Sequence, residues 1–134
     1  MRQAVEHFFQ LYAEAYSNFD VDKVTELFSL PCLFLTDDSK LMMAEVSSLE
    51  KTIRHQFNLY RSLGVAQVKN RVQHLVRLSE SMVFASLYWY FCDANGKVLQ
   101  NCHTSYTLQR SGEHWRLVAV MIDDERFALK SIQP

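Results

Sequence analysis

Glycine and proline are scarce in this chain, with three of the first and two of the second in 134 residues. That scarcity leaves little material for flexible linkers, low-complexity tracts or disorder, and no repeat is visible. The cysteines, Cys32, Cys92 and Cys102, are three and widely spaced. An odd, scattered set fits neither a disulfide framework nor a zinc site, and it suits a reducing, cytoplasmic setting. No apolar run approaches the roughly 18 residues of a membrane span, and MRQAVEHFFQ has no uninterrupted apolar core of the signal-peptide kind. Charge of one sign is missing too. A formal net charge of -1 gives no long-range pull toward nucleic acid or an anionic membrane. The sequence has no glycine-rich phosphate loop, nucleophile elbow or HExxH, and no His/Asp/Glu cluster with metal-ligand spacing. We therefore expect no cofactor and no metal.

Apolar residues are plentiful, at 49% of the chain, and 13% of residues are aromatic. One domain spanning 1–134 is expected, with a core over about 3–123 and a C-terminal tail at 124–134. Val5, Phe8, Phe9, Tyr12, Ala15, Tyr16 and Phe19 recur at helical intervals and draw one buried stripe. Asp20 is placed to cap a second, short helix with Val24, Leu27 and Phe28 inward, stopped by Pro31. Cys32 to Thr36 reads as a strand, and Leu41 to Met43 as its short partner. Ser47 and Glu50 have capping-box spacing before a third helix carrying Leu49, Ile53, Phe57, Tyr60 and Leu63, which ends at Gly64.

After Gly64 the period changes from about 3.6 to 2. Val68, Val72, Val76 and Leu78 alternate with Lys69, Arg71, Gln73 and Arg77, so this strand has one dry face. Met82 to Cys92 is apolar throughout, and its facing stays open. The stretch 93–96, DANG, is turn chemistry. Val98 to Arg110 and His114 to Ile122 come next as strands about a Ser111-Gly112 turn. That turn pairs Leu108 with Trp115, Tyr106 with Leu117 and Thr104 with Ala119. Tyr106, Leu108, Trp115 and Leu117 then share the core face, and His103, Ser105, Thr107, Val118 and Val120 the outer face.

Helices first and a long meander afterwards make an α+β chain. The element order, the opening FFQLYAEAYSNFDVDKVTELFSLPCLFLTDD and the closing SGEHWRLVAVMID resemble the nuclear transport factor 2-like superfamily, which includes the ketosteroid isomerases and SnoaL-like polyketide cyclases. The resemblance covers roughly residues 3–123. It implies a cone-shaped, strongly curved antiparallel sheet wrapped around the N-terminal helices, with an interior pocket, commonly as a dimer. It does not imply one activity.

The resemblance also nominates residues. Tyr12 stands eight residues before Asp20, as the isomerases' hydrogen-bonding tyrosine stands before the aspartate opening the next helix. Asp37 resembles their proton-abstracting aspartate, one residue later, so Thr36 or Asp38 are alternatives for the inward position. Each has a structural reading beside the catalytic one: Tyr12 as a core tyrosine, and the DDSK stretch as a polar turn. His74 lies in phase with Val68, Val72, Val76 and Leu78, and with Asn70 it makes a polar island on the dry face. It is either an acid, base or ligand contact, or a satisfied core histidine. Tyr16, Asn70, Trp89, Tyr106 and Trp115 are the candidate ligand contacts. Two functions remain. One is a small-molecule pocket protein, as a cofactor-free acid-base enzyme acting through Tyr12, Asp37 and His74. The other is a non-catalytic binding or interaction module. A homodimer through the outer sheet face is expected with either.

Overall fold

The computed structural model of the chain describes residues 1–122. Helix α1 (Arg2–Ser17) buries Val5, Phe8, Phe9, Tyr12, Ala13, Ala15 and Tyr16, the stripe the spacing predicts with Ala13 added, whereas Phe19 lies past the end of the helix at φ 51°. Asp20 caps α2 (Val21–Glu26), its carboxylate accepting the Lys23 N–H at 3.2 Å. The chain leaves that helix earlier than Pro31: Phe28 already opens β1 (Phe28–Leu35), with Pro31 inside the strand. Strand β2 (Lys40–Met43) pairs with it. Helix α3 (Val46–Ser62) starts after Glu45 without any side-chain cap, so the Ser47/Glu50 box is not used. Its end at Leu63 is followed by Gly64 at φ +85°, the left-handed position that glycine takes without strain.

Four long strands complete the sheet: β3 (Gln67–Arg77), β4 (Met82–Cys92), β5 (Val98–Ser111) and β6 (His114–Ile122). The sheet is six-stranded, curved and open, in the order β2-β1-β6-β5-β4-β3. All pairs are antiparallel except β1 with β6, which runs parallel, so the sheet is mixed rather than purely antiparallel. The helices α1 and α3 cover one face. Against them β4 turns Val83, Ala85, Leu87, Trp89 and Phe91, settling the facing the sequence left open. At the free edge of β3 the Ser17 side chain replaces a neighbouring strand: its hydroxyl donates to the Val68 carbonyl at 3.1 Å and accepts the Val68 N–H at 2.9 Å.

Three departures from the expected pairing matter for the site. The β5–β6 turn is Gly112-Glu113, with Ser111 opposite His114 and Gly112 at φ +63°. Leu108 therefore pairs with Leu117, and Arg110 with Trp115. A slip by two keeps every side chain on its face, so Tyr106, Leu108, Trp115 and Leu117 are all buried as expected. Second, the ladder shifts between Thr107 and Leu108, leaving Val118 as an extra residue. This brings Val120 to the inner face and Ala119 and Met121 to the outer one. Third, the β3–β4 ladder shifts between Val72 and His74, with Gln73 the extra residue. The bulge inverts the alternation beyond it, so Leu75 packs inward while His74, Val76 and Leu78 are exposed.

Leu108 is fully buried at the centre of this packing. Leu108→Ala should cost about 2–5 kcal/mol of stability. Urea unfolding of the two proteins should show that loss as a lower midpoint with an unchanged slope.

Candidate functional site

Between α1, α3 and the concave face of the sheet lies a cavity of about 90 Å3. Helix α1 contributes Tyr12 and Tyr16, one turn apart on its buried stripe. From α3 come Leu49, Thr52, Ile53, Gln56 and Tyr60, a continuous i, i+3, i+4, i+7 face with two polar members on its shoulder. Trp89, Cys102, Thr104 and Tyr106 stand on β4 and β5, and Phe28 and Phe34 on β1. Among the described residues sixteen line the cavity, and none of them is Asp, Glu, His, Lys or Arg.

Aromatic rings fill most of the space. Tyr12 sits edge-to-face against Tyr16 at 5.0 Å, Trp89 at 5.5 Å and Tyr106 at 6.0 Å between centroids. Their polar tips form two short chains. The Tyr12 hydroxyl shares a hydrogen bond with Tyr16, and the Tyr16 hydroxyl donates to Gln56 Oε1 at 2.9 Å. The Trp89 indole N–H donates to the Tyr106 oxygen at 2.8 Å. Desolvation, then the neighbouring Tyr16 and Tyr106, pushes the Tyr12 pKa well above its ordinary value. Tyr12 is therefore a neutral donor throughout the physiological range. Burial likewise pushes the Cys32 thiol up to about 12, which keeps it protonated and unreactive.

The fold thus gathers Tyr12, Tyr16, Trp89 and Tyr106 from the expected set and leaves the others elsewhere. His74 is exposed on the far side of the sheet, because the bulge at Gln73 reverses the phase on which its inward placement rested. Asp37 is exposed at the tip of a two-residue turn with Asp38. The Thr36 N–H donates to the Ser39 carbonyl at 3.0 Å and the two hydroxyls lie 2.7 Å apart, closing β1 onto β2. The turn reading of these aspartates holds, and Thr36 belongs to the same turn. Asn70 is a structural pin, its amide donating to the Phe9 carbonyl at 2.9 Å and tying β3 to α1. Trp115 is buried under the Arg110 guanidinium, 5.6 Å from the ring centroid, away from the cavity lining. Thr52, Gln56 and Thr104 escaped the sequence reading. Their signal is phase: Thr52 and Gln56 extend the α3 stripe, and Thr104 falls between Cys102 and Tyr106 on the buried side of β5. Among the described residues no group of three His, Cys, Asp or Glu is placed to hold a metal, and no helix is long and apolar enough to cross a membrane.

Comparisons with known proteins agree with this architecture. A family model described as NTF2-like protein (DUF6841) matches residues 2–125. No functionally curated protein matches the chain. Aln2 from a Streptomyces species superposes with a TM-score of 0.72 at 18% identity, over 97% of this chain and 94% of that one. A ketosteroid isomerase-like protein from Erwinia carotovora atroseptica gives 0.68 at 13% identity, over 90% and 93%. An NTF-2 like protein of unknown function from Shewanella oneidensis gives 0.71 at 9% identity, over 92% and 98%. At these identities the likeness concerns the fold.

The raised Tyr12 pKa has a consequence for alkaline stability. The folded chain holds this proton more tightly than the unfolded one, whose tyrosines ionise near 10. The stabilisation is complete below that pH and is lost as pH rises through and beyond it. Stability measured by urea unfolding between pH 8 and pH 11 should fall above about pH 10 in the wild type, and the fall should be shallower in Tyr12→Phe. Equal slopes would show that Tyr12 does not control the alkaline limb.

Proposed function

The chain belongs to the NTF2-like protein family DUF6841, and on that footing we propose that its interior cavity takes up a small, uncharged, mostly apolar molecule without performing acid-base chemistry on it. The observation that carries this reading is the lining: phenols, an indole, an amide, hydroxyls and the Cys102 thiol, with no carboxylate, imidazole, ammonium or guanidinium among the described residues. Such a site orients a ligand through neutral hydrogen bonds and an aromatic wall. The volume bounds the size. About 90 Å3 equals the share of roughly three water molecules and falls below the about 300–1,000 Å3 of pockets for drug-sized ligands. A single-ring molecule fits once Gln56 and Thr52, both half-buried on α3, move outward.

The acid-base enzyme reading needed Asp37 and His74 beside Tyr12, and neither reaches the cavity. The test compares phenol with benzoate, followed through Trp fluorescence and amide chemical shifts. Phenol should bind, and benzoate at least tenfold more weakly, because no cation is present to pair with its carboxylate. Gln56→Leu should weaken phenol, whereas His74→Leu and Asp37→Asn should leave it unchanged. Preference for benzoate, or loss of binding in His74→Leu, would overturn the proposal.

A homodimer through the outer sheet face forms the second part of the proposal, and one feature favours it. Met42, Leu33, Ala119, Thr107, Phe84 and Val76 pair in succession and make a row across all six strands. Its ends are open to solvent, with Met42 57% and Val76 49% exposed. Beside it the Ser86 hydroxyl is buried and has no partner among the described residues. Sedimentation at micromolar concentration should show a dimer that Phe84→Glu converts to monomer; a wild-type monomer would refute it.

A further inference from the structure

Charge is segregated in this molecule in a way the net value hides. The six strands hold six Lys or Arg residues (Lys40, Lys69, Arg71, Arg77, Arg110, Arg116) and three histidines, but no Asp or Glu. All described carboxylates lie in helices, their flanks or turns. Part of this basic content gathers on the outer face, in one corner of the sheet. Pairing aligns Lys69 with Tyr90 and Asn101 in one row, and Arg71 with Tyr88 and His103 in the next. The Arg71 guanidinium lies 5.6 Å from the Tyr88 ring centroid, and His103 meets the same ring edge-on at 5.2 Å. Tyr90 is half-buried, and among the described residues no ring or guanidinium is stacked on it. The corner lies beyond the apolar row and beyond Ser86: Phe84 and Tyr90 are six residues apart on β4, about 20 Å at the usual rise.

We propose that this corner docks a single-stranded nucleic acid, with Lys69 and Arg71 on its phosphates and Tyr90 stacked on a base. Cations beside an accessible aromatic face on a sheet are the combination that holds single strands, because every base offers a π-face and every linkage a charge. Asn101, exposed beside Tyr90, adds an amide able to donate and accept at a base edge. An acidic peptide would use the cations and leave Tyr90 idle, which is why the aromatic decides between the two. Glu6 and Glu14 on α1 line the groove along the other side of the β3 edge with Lys69 and Arg71. Among the described residues no carboxylate forms an ion pair with Lys69 or Arg71.

The test is fluorescence anisotropy of a labelled oligothymidylate of twenty nucleotides at low and moderate salt. Binding at 50 mM NaCl should fall in the weak, sequence-independent range, Kd of roughly 10⁻⁶ to 10⁻⁴ M, and should weaken as salt rises. The double variant Lys69→Glu/Arg71→Glu, both residues exposed, should lose at least tenfold, and Tyr90→Ala several-fold. Lys51→Glu/Arg54→Glu, an equal charge change at two exposed positions of α3, should lose much less than the Lys69/Arg71 double variant. Absence of binding at 50 mM NaCl, an equal loss in Lys51→Glu/Arg54→Glu and Lys69→Glu/Arg71→Glu, or equally potent displacement by polyglutamate would each overturn the proposal, the last in favour of an acidic protein partner.

Discussion

Tyr12 touches six aromatic rings: Phe8, Phe9, Tyr16, Phe28, Trp89 and Tyr106. A curved, open sheet has a concave face too wide for small side chains to fill, and this cluster is what fills it. Each favourable ring pair adds about 0.5–1.5 kcal/mol beyond area burial, so the cluster fixes how α1 lies against β4 and β5. It also decides how much space is left. The rings occupy the volume a larger ligand would need, and the phenol and indole tips need partners once buried. They find them in one another and in Gln56, so packing and polar satisfaction are solved by the same groups that line the cavity.

Local chemistry was legible in the sequence wherever one element decided it. The α1 stripe, the Asp20 cap, the Gly64 stop and the change of period after it all appear in the structure, because each depends on neighbours a few residues away. Facing along a strand depends on an unbroken alternation, and two added residues break it. Gln73 in β3 and Val118 in β6 each reverse the phase of the residues beyond them. Neither is a glycine or carries any other local mark, so nothing in the sequence announces the reversal. The parallel β1–β6 pairing was unreadable for a related reason: it joins segments far apart in the chain and leaves no periodic trace.

The same distinction separates the site residues. Tyr12, Tyr16, Trp89 and Tyr106 are large aromatics, whose burial the core demands. Phase alone points His74 inward, and the bulge at Gln73 reverses that phase. Asp37 was placed by resemblance to a catalytic position, whereas Thr36 and Ser39 close the turn around it. The polar members that reach the cavity, Thr52, Gln56 and Thr104, are small or neutral groups inside apolar periodicities. Composition gives such residues no prominence; only their phase on α3 and β5 betrays them.

Catalysis of proton transfer requires a group that can change protonation near the working pH. Every influence on Tyr12 acts the other way. Burial penalises its phenolate, and Tyr16, Tyr106 and Tyr60 would repel that charge as they ionise. Among the described residues no cationic side chain lines the cavity to oppose them, and no group of three metal-ligating side chains is found. A buried phenol in such surroundings can stabilise negative charge developing on a ligand by donating its proton into a hydrogen bond. It cannot remove a proton from that ligand at neutral pH. The architecture therefore supplies half of an acid-base site. Its donor is locked in the neutral state, and the positions where the sequence suggested a base are taken by a solvent-facing histidine and a surface turn.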